Sequence, residues 1–114
     1  MKLLIVGEIS ISPRIAYTII ENLIKLKYGP SRVTQIICEA SNSGGVALAA
    51  SQVAEDMRIP TQVVSRGILT TQGTHYRKLL READSVLLIG DKSNSKLKQA
   101  IVKSGKSLVE VNGK

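Results

Sequence analysis

The fold is decided by the stretch Glu39-Ala-Ser-Asn-Ser-Gly-Gly45, which joins a run typical of a strand to a run typical of a helix. Residues 32–38 before it are rich in β-branched side chains, and residues 46–58 after it are rich in Ala, Leu, Gln and Glu. A turn of small residues between a strand and a helix directs several backbone N–H groups, and the positive end of the helix dipole, at one point. The stretch therefore predicts a strand–helix unit with a place for an anion at its turn.

Strand and helix patterns alternate through the whole chain. Strands are predicted at residues 2–7, 32–38, 61–65, 85–90 and 106–111, and helices at residues 14–28, 46–58, 74–83 and 96–104. This alternation, with right-handed crossovers, favours an α/β fold: a Rossmann-like, doubly wound parallel five-stranded sheet of order 3-2-1-4-5 with helices on both faces. At 114 residues, positions 1–114 are expected to form a single domain.

Finer expectations concern the first and third helices. Ser12 is expected to cap the first helix with Pro13 at its first position, and Thr74 to cap the third. The helical spacing of apolar residues predicts a buried side of the first helix formed by Ile15, Ile19, Leu23 and Leu26.

Composition limits the classes of function. A formal charge of +7 is high for this length and fits an anionic partner. A nucleic-acid partner is less favoured than a small anion, because neither a base-stacking motif with several aromatic residues nor a zinc-finger spacing is present. The one cysteine, Cys38, lies in an apolar strand and is expected to be a buried, inert thiol. No signal peptide or apolar run near 20 residues occurs, so a cytoplasmic protein without a membrane segment is expected.

Three loops should meet at one edge of the sheet. In the predicted order, strands 1 and 4 are neighbours at the switch point, where ligands bind beyond the carboxyl ends of the strands. The loops at residues 7–12, 40–45 and 90–95 all contain glycine and serine. The candidate ligand-binding residues are Gly7, Glu8, Ser41, Ser43, Gly44, Gly45, Arg77, Gly90, Asp91 and Ser93.

Each candidate also has a purely structural interpretation. Gly44 and Gly45 could form a tight turn, Asp91 or Ser93 could cap the last helix, and Glu8 could be a solvated carboxylate. Residues 90–95 lack the spacing of a phosphate-binding P-loop.

His75 is the only histidine of the chain. With no Cys, Asp or Glu beside it in the sequence, it does not indicate a metal site, and no metal or cofactor is predicted. It could serve as a general acid–base, or it could be packed or exposed without a chemical role. If the protein is an enzyme, Glu8, His75 and Asp91 are the candidate catalytic residues.

Several motifs together resemble a known family. They are Gly7 after an apolar strand, Ala40-Ser-Asn-Ser-Gly-Gly45 leading into Ala47-x-x-Ala50, Glu55-x-x-Arg-Ile-Pro60, Gly73-x-x-x-Arg77, and Arg81-Glu-Ala-Asp84. This layout resembles the SLOG superfamily, and within it the YspA-like group of small Rossmann-like domains. The resemblance implies a nucleotide or nucleotide-derived ligand, and it extends to enzymes of the phosphoribohydrolase type.

The chain departs from that family's enzymes at two places. Val46 follows Gly45 where an acidic residue is usual, and residues 90–95 lack the Pro-Gly-Gly-x-Gly-Thr pattern with its following glutamate. Cleavage of an N-glycosidic bond needs a carboxylate to stabilise positive charge on the ribose. The sequence therefore favours binding without hydrolysis, as in a sensor or a sequestering protein.

Two alternatives and one further expectation remain. The chain could be a nucleotide-processing hydrolase, or a DNA-associated protein whose lysines form a stripe along its last helix. Those lysines are Lys92, Lys96, Lys98, Lys103 and Lys106. A homo-oligomer is also possible, because a small sheet protein with an apolar helix face often needs a partner.

Overall fold

The computed structural model describes residues 1–7, 10–29, 31–40, 44–64, 72–90 and 96–111. Within these residues, five strands form a parallel sheet of order β3-β2-β1-β4-β5. The strands are β1 Lys2–Gly7, β2 Gln35–Glu39, β3 Thr61–Val64, β4 Ser85–Ile89 and β5 Ser107–Val111. The predicted strand order and the predicted α/β class are therefore confirmed.

The helices connect successive strands. They are α1 Pro13–Leu23, α2 Gly45–Met57, α3 Gln72–Arg81 and α4 Lys96–Ser104. A π-helical segment, Ile24–Tyr28, continues α1, and Gly29 ends it with a positive φ of 89°. None of the helices among the described residues is both long and apolar enough to cross a membrane.

Side chains of the central strands alternate between two separate cores. Leu3 and Ile5 of β1 pack in the layer that contains α1 and α2, whereas Leu4 and Val6 pack in the layer that contains α3 and α4. All four side chains are buried. Because helices cover both faces, the central strands carry runs of consecutive apolar residues, as is typical of parallel sheets. The arrangement is a Rossmann-like, doubly wound fold with helices on both faces.

The predicted buried side of α1 is correct only in part: Ile19 and Leu23 pack against the core, but the fully buried side chains belong to the neighbouring stripe. Ala16, Ile20 and Ile24 are fully buried, whereas Ile15 is 42% exposed and Leu26 is 85% exposed. Two neighbouring apolar stripes run along this helix, and both satisfy helical spacing. The packing of α1 on α2 decides which stripe faces the core.

The observed starts of α3 and β2 also differ from the predicted starts. Thr74 lies inside α3, which begins at Gln72, so the prediction of Thr74 as its cap is wrong. Strand β2 begins at Gln35 rather than at residue 32, since its pairing with β1 starts at Lys2 opposite Gln35. Ser12 and Pro13 take the predicted positions at the start of α1, although the Ser12 side chain makes no capping hydrogen bond.

A hydrogen bond between α1 and α2 crosses their outer surface. The Tyr17 hydroxyl donates to Asp56 Oδ2 at 2.5 Å, and this bond is the main reason that the pKa of Tyr17 rises from 10.0 to about 12. The phenol donates only while it is protonated. The stabilisation from this bond is therefore full below pH 10, the ordinary tyrosine pKa, and is lost as the pH rises through about 12.

We expect an alkaline absorbance titration of the folded protein to show one tyrosine with a pKa of about 12, and Tyr17→Phe to remove it. Asp56→Asn should lower that pKa, because the amide carries no negative charge. As the control, Tyr28→Phe should leave the Tyr17 titration in place, although burial also raises the pKa of Tyr28. An unchanged Tyr17 titration in Asp56→Ala, which removes both the acceptor and the charge, would exclude this hydrogen bond as the cause.

Candidate functional site

The carboxyl edge of the sheet, where the parallel strands end, contains the switch point of the fold. Strands β1 and β4 are paired there, with Gly7 opposite Ile89. From this edge the chain continues from β1 towards α1 on one face and from β4 towards α4 on the other. Crevices between chain segments that diverge in this way are the usual ligand sites of open α/β sheets.

Glycines stand at three positions of this edge. Gly7 ends β1, Gly44 precedes α2, and Gly90 follows β4. Gly44 has a φ of 147° and Gly90 a φ of 70°, conformations that side chains rarely adopt. The N–H of Gly90 donates to the carbonyl of Val111 at 2.7 Å, which ties the end of β4 to the end of β5.

Gly7 and Gly45 allow a close approach of backbone segments. A Cβ on Gly45 would lie 1.9 Å from the carbonyl oxygen of Ile11, and a Cβ on Gly7 would lie 2.5 Å from that of Ile89. The first turn of α2 thus packs directly against the segment before α1 and, through Val46, against the end of β1. These two glycines have a packing role whether or not a ligand is present.

The predicted ligand-binding residues fall into two groups. Gly7, Gly44, Gly45, Arg77 and Gly90 lie within the described residues, and all except Arg77 are at the carboxyl edge. The remaining candidates, Glu8, Ser41, Ser43, Asp91 and Ser93, lie outside the described residues. Their predicted contacts with a ligand stay predictions.

A contact between Glu39 and His75 joins β2 to α3 at the same edge. His75 Nε2 lies 3.1 Å from Glu39 Oε2, a hydrogen bond in which the ring N–H donates to the carboxylate. The His75 side chain is only 4% exposed, whereas that of Glu39 is 27% exposed. The imidazole of His75 is therefore buried, and the Glu39 carboxylate that it contacts is partly exposed to solvent.

This pair corrects the sequence-based view of His75. Proximity along the chain suggested no acidic residue near His75, yet Glu39 lies 36 positions away and contacts it directly. The sequence motifs indicate no role for Glu39. Its position as the last residue of β2 was the available signal, because polar side chains at strand ends of this edge are common ligand and catalytic groups.

The pair has the composition of an acid–base site. A carboxylate that accepts a hydrogen bond from an imidazole selects the tautomer and the orientation of the ring. Two residues later in α3, Arg77 is exposed whereas His75 is buried, so the two residues lie on different sides of the helix.

Cys38 precedes Glu39 in β2 and lies on the opposite face of the sheet. It is a free thiol and is fully buried, as predicted. Burial, followed by the negative charge of Glu39, raises the pKa of this thiol, which keeps it protonated and unreactive. Among the side chains that the structure describes, no group of three or more His, Cys, Asp or Glu could hold a metal ion.

Comparisons with protein-family models, with curated proteins and with solved structures found no match. The resemblance to the SLOG superfamily therefore remains a hypothesis that rests on the motifs of this chain.

We expect Gly45→Ala to lower the free energy of unfolding by about 1–3 kcal/mol, because the added methyl group would overlap the backbone of Ile11. Gln52→Ala, at an exposed position of the same helix, is the control and should change it by less than about 0.5 kcal/mol. Urea denaturation measures both. Equal stability of Gly45→Ala and the wild type would contradict the close packing of α2 at this edge.

A double-mutant cycle of Glu39→Ala and His75→Ala should give a coupling energy of about 1 kcal/mol, because each substitution alone leaves the other polar group without this hydrogen bond. The control cycle pairs His75→Ala with Glu55→Ala, which removes an exposed acid on the other helix layer. Its coupling should be within about 0.5 kcal/mol of zero. Additive losses in the first cycle would show that the contact contributes nothing to stability.

Proposed function

We propose that this protein is a small cytoplasmic domain that binds a nucleotide or nucleotide-derived signalling ligand at the carboxyl edge of its sheet, as a sensor or a sequestering protein. One observation carries the proposal: the strand order reverses between β1 and β4, with Gly7 and Gly90 at the ends of those two strands. In open parallel sheets this is the position of nucleotide sites.

The charge and the dipoles at this edge support an anionic ligand. Helix α2 has thirteen residues and begins at the carboxyl edge, so its first N–H groups and the positive end of its dipole lie there. The net charge of +7 would attract a phosphate from solution. The resemblance to YspA-like SLOG domains points to the same class of ligand.

A second candidate function is hydrolysis of a nucleotide, and the Glu39–His75 pair favours it. The sequence disfavours an N-glycosidic hydrolase, because the acidic residues expected in the enzymes of the resembled family are missing. Glu39 supplies a partly exposed carboxylate at the same edge, and the buried imidazole of His75 holds it in place. The earlier catalytic candidates Glu8 and Asp91 lie outside the described residues.

The binding proposal predicts that mass spectrometry of small molecules released by denaturing the purified protein will detect a nucleotide or a nucleotide derivative. Adding that compound at about 100 times its Kd should then raise the Tm of ligand-free protein by about 10 °C, the effect of about 2.7 kcal/mol on a domain of this size. If no phosphate-containing compound is released, and no nucleotide in a panel raises the Tm, the proposal is wrong.

The same compound distinguishes binding from hydrolysis. If the protein only binds the compound, chromatography after incubation will recover the compound chemically unchanged. A hydrolase releases free base or ribose phosphate, and in that case we expect Glu39→Gln to lower the rate at least tenfold, because a neutral amide can neither accept a proton nor stabilise positive charge on the ribose. Glu55→Gln, which alters an exposed acid of α2, is the matched control and should leave the rate unchanged.

A further inference from the structure

The positive charge of the protein is concentrated on one side of the sheet. Helix α3 contains Arg77, Lys78 and Arg81, helix α4 contains Lys96, Lys98 and Lys103, and neither helix contains an Asp or a Glu. The other helix layer is mixed, with Glu21 in α1 and with Glu55 and Asp56 in α2. We call the outer surface of α3 and α4 the basic face.

Several of these cations point to solvent. Arg77, Lys78 and Arg81 are all exposed, and their spacing of three and four residues places Arg81 beside both of the others on one side of α3. On α4, Lys103 is exposed, and a shallow groove of about 310 Å³ is lined by Lys98, Gln99, Val102 and Lys103. Helices α3 and α4 contact each other in one layer, so these exposed cations lie on neighbouring helices.

Two lysines of the stripe expected from the sequence are engaged within the protein. Lys106 Nζ donates to the carbonyl oxygen of Ala83 at 2.5 Å, and Lys98 Nζ lies 2.8 Å from Glu110 Oε1 on β5. The acidic Glu82, directly after α3, forms an ion pair with Lys2 at 3.9 Å. The cationic surface therefore extends across both helices, and α3 contributes as much to it as α4 does.

We propose that the basic face binds the phosphate backbone of double-stranded nucleic acid without regard to sequence. Clustered lysine and arginine side chains are the usual means of contacting duplex phosphates. Single strands are less suited to this surface, because they bind along successive aromatic rings, whereas α4 has no aromatic residue and α3 has only Tyr76. An anionic membrane is less suited too, since Val102 is the one exposed large apolar residue among those side chains of the two helices that the structure describes.

Fluorescence anisotropy with a labelled duplex DNA of about 20 base pairs tests this proposal. If about four phosphates are contacted, the affinity should fall about 100-fold between 50 mM and 200 mM salt. The double variant Lys78→Glu/Lys103→Glu should weaken binding at least tenfold and make the salt dependence shallower. The matched control, Lys25→Glu/Lys27→Glu, makes the same change of net charge on exposed lysines of the other layer, and its affinity should change less than threefold.

Three results would overturn the proposal. They are equal losses of affinity in the two double variants, tighter binding of a single strand than of the duplex, and binding of phosphatidylserine vesicles without binding of the duplex. Circular dichroism checks that each variant is folded. If the glutamate variant is unfolded, Lys78→Gln/Lys103→Gln replaces it, with Lys25→Gln/Lys27→Gln as its control, and the same difference between the two is expected.

Discussion

Burial of both faces of β1 is the constraint on which the rest of the structure depends. This strand lies at the centre of the sheet, paired with β2 on one side and β4 on the other, and its side chains alternate between the two helix layers. Removing one such side chain typically costs 2–5 kcal/mol, against a total stability of about 5–15 kcal/mol for a domain. The chain must therefore place helices on both faces, and the reversal of strand order beside β1 follows from that requirement.

The need to cover both faces of β1 with helices also determines the packing at the carboxyl edge. Helix α2 must pack over β1 and β2, and the glycines at positions 7 and 45 let its first turn approach the end of β1 and the segment before α1. Glycine at these positions is explained by packing alone. The case for a ligand depends instead on the switch point, the helix dipole and the polar groups at the strand ends.

Helix α3 connects the two proposals through its two sides. Its inner side holds His75 against Glu39 at the carboxyl edge, and its outer side carries Arg77, Lys78 and Arg81. A small ligand at the edge and a nucleic acid on the basic face would thus contact opposite sides of one helix.

The sequence by itself determined the class of fold and the order of the strands. Apolar runs that end on glycine mark central strands, and parallel strands with right-handed crossovers bring their carboxyl ends to one edge. The buried side of α1 and the start of α3 were decided by the tertiary structure, because neighbouring apolar stripes and alternative caps satisfy the same local pattern. The Glu39–His75 contact, and the segregation of charge to one layer, were also decided there. Local periodicity predicts the helices and strands, but a contact such as that between Glu39 and His75, 36 positions apart, depends on how those helices and strands pack.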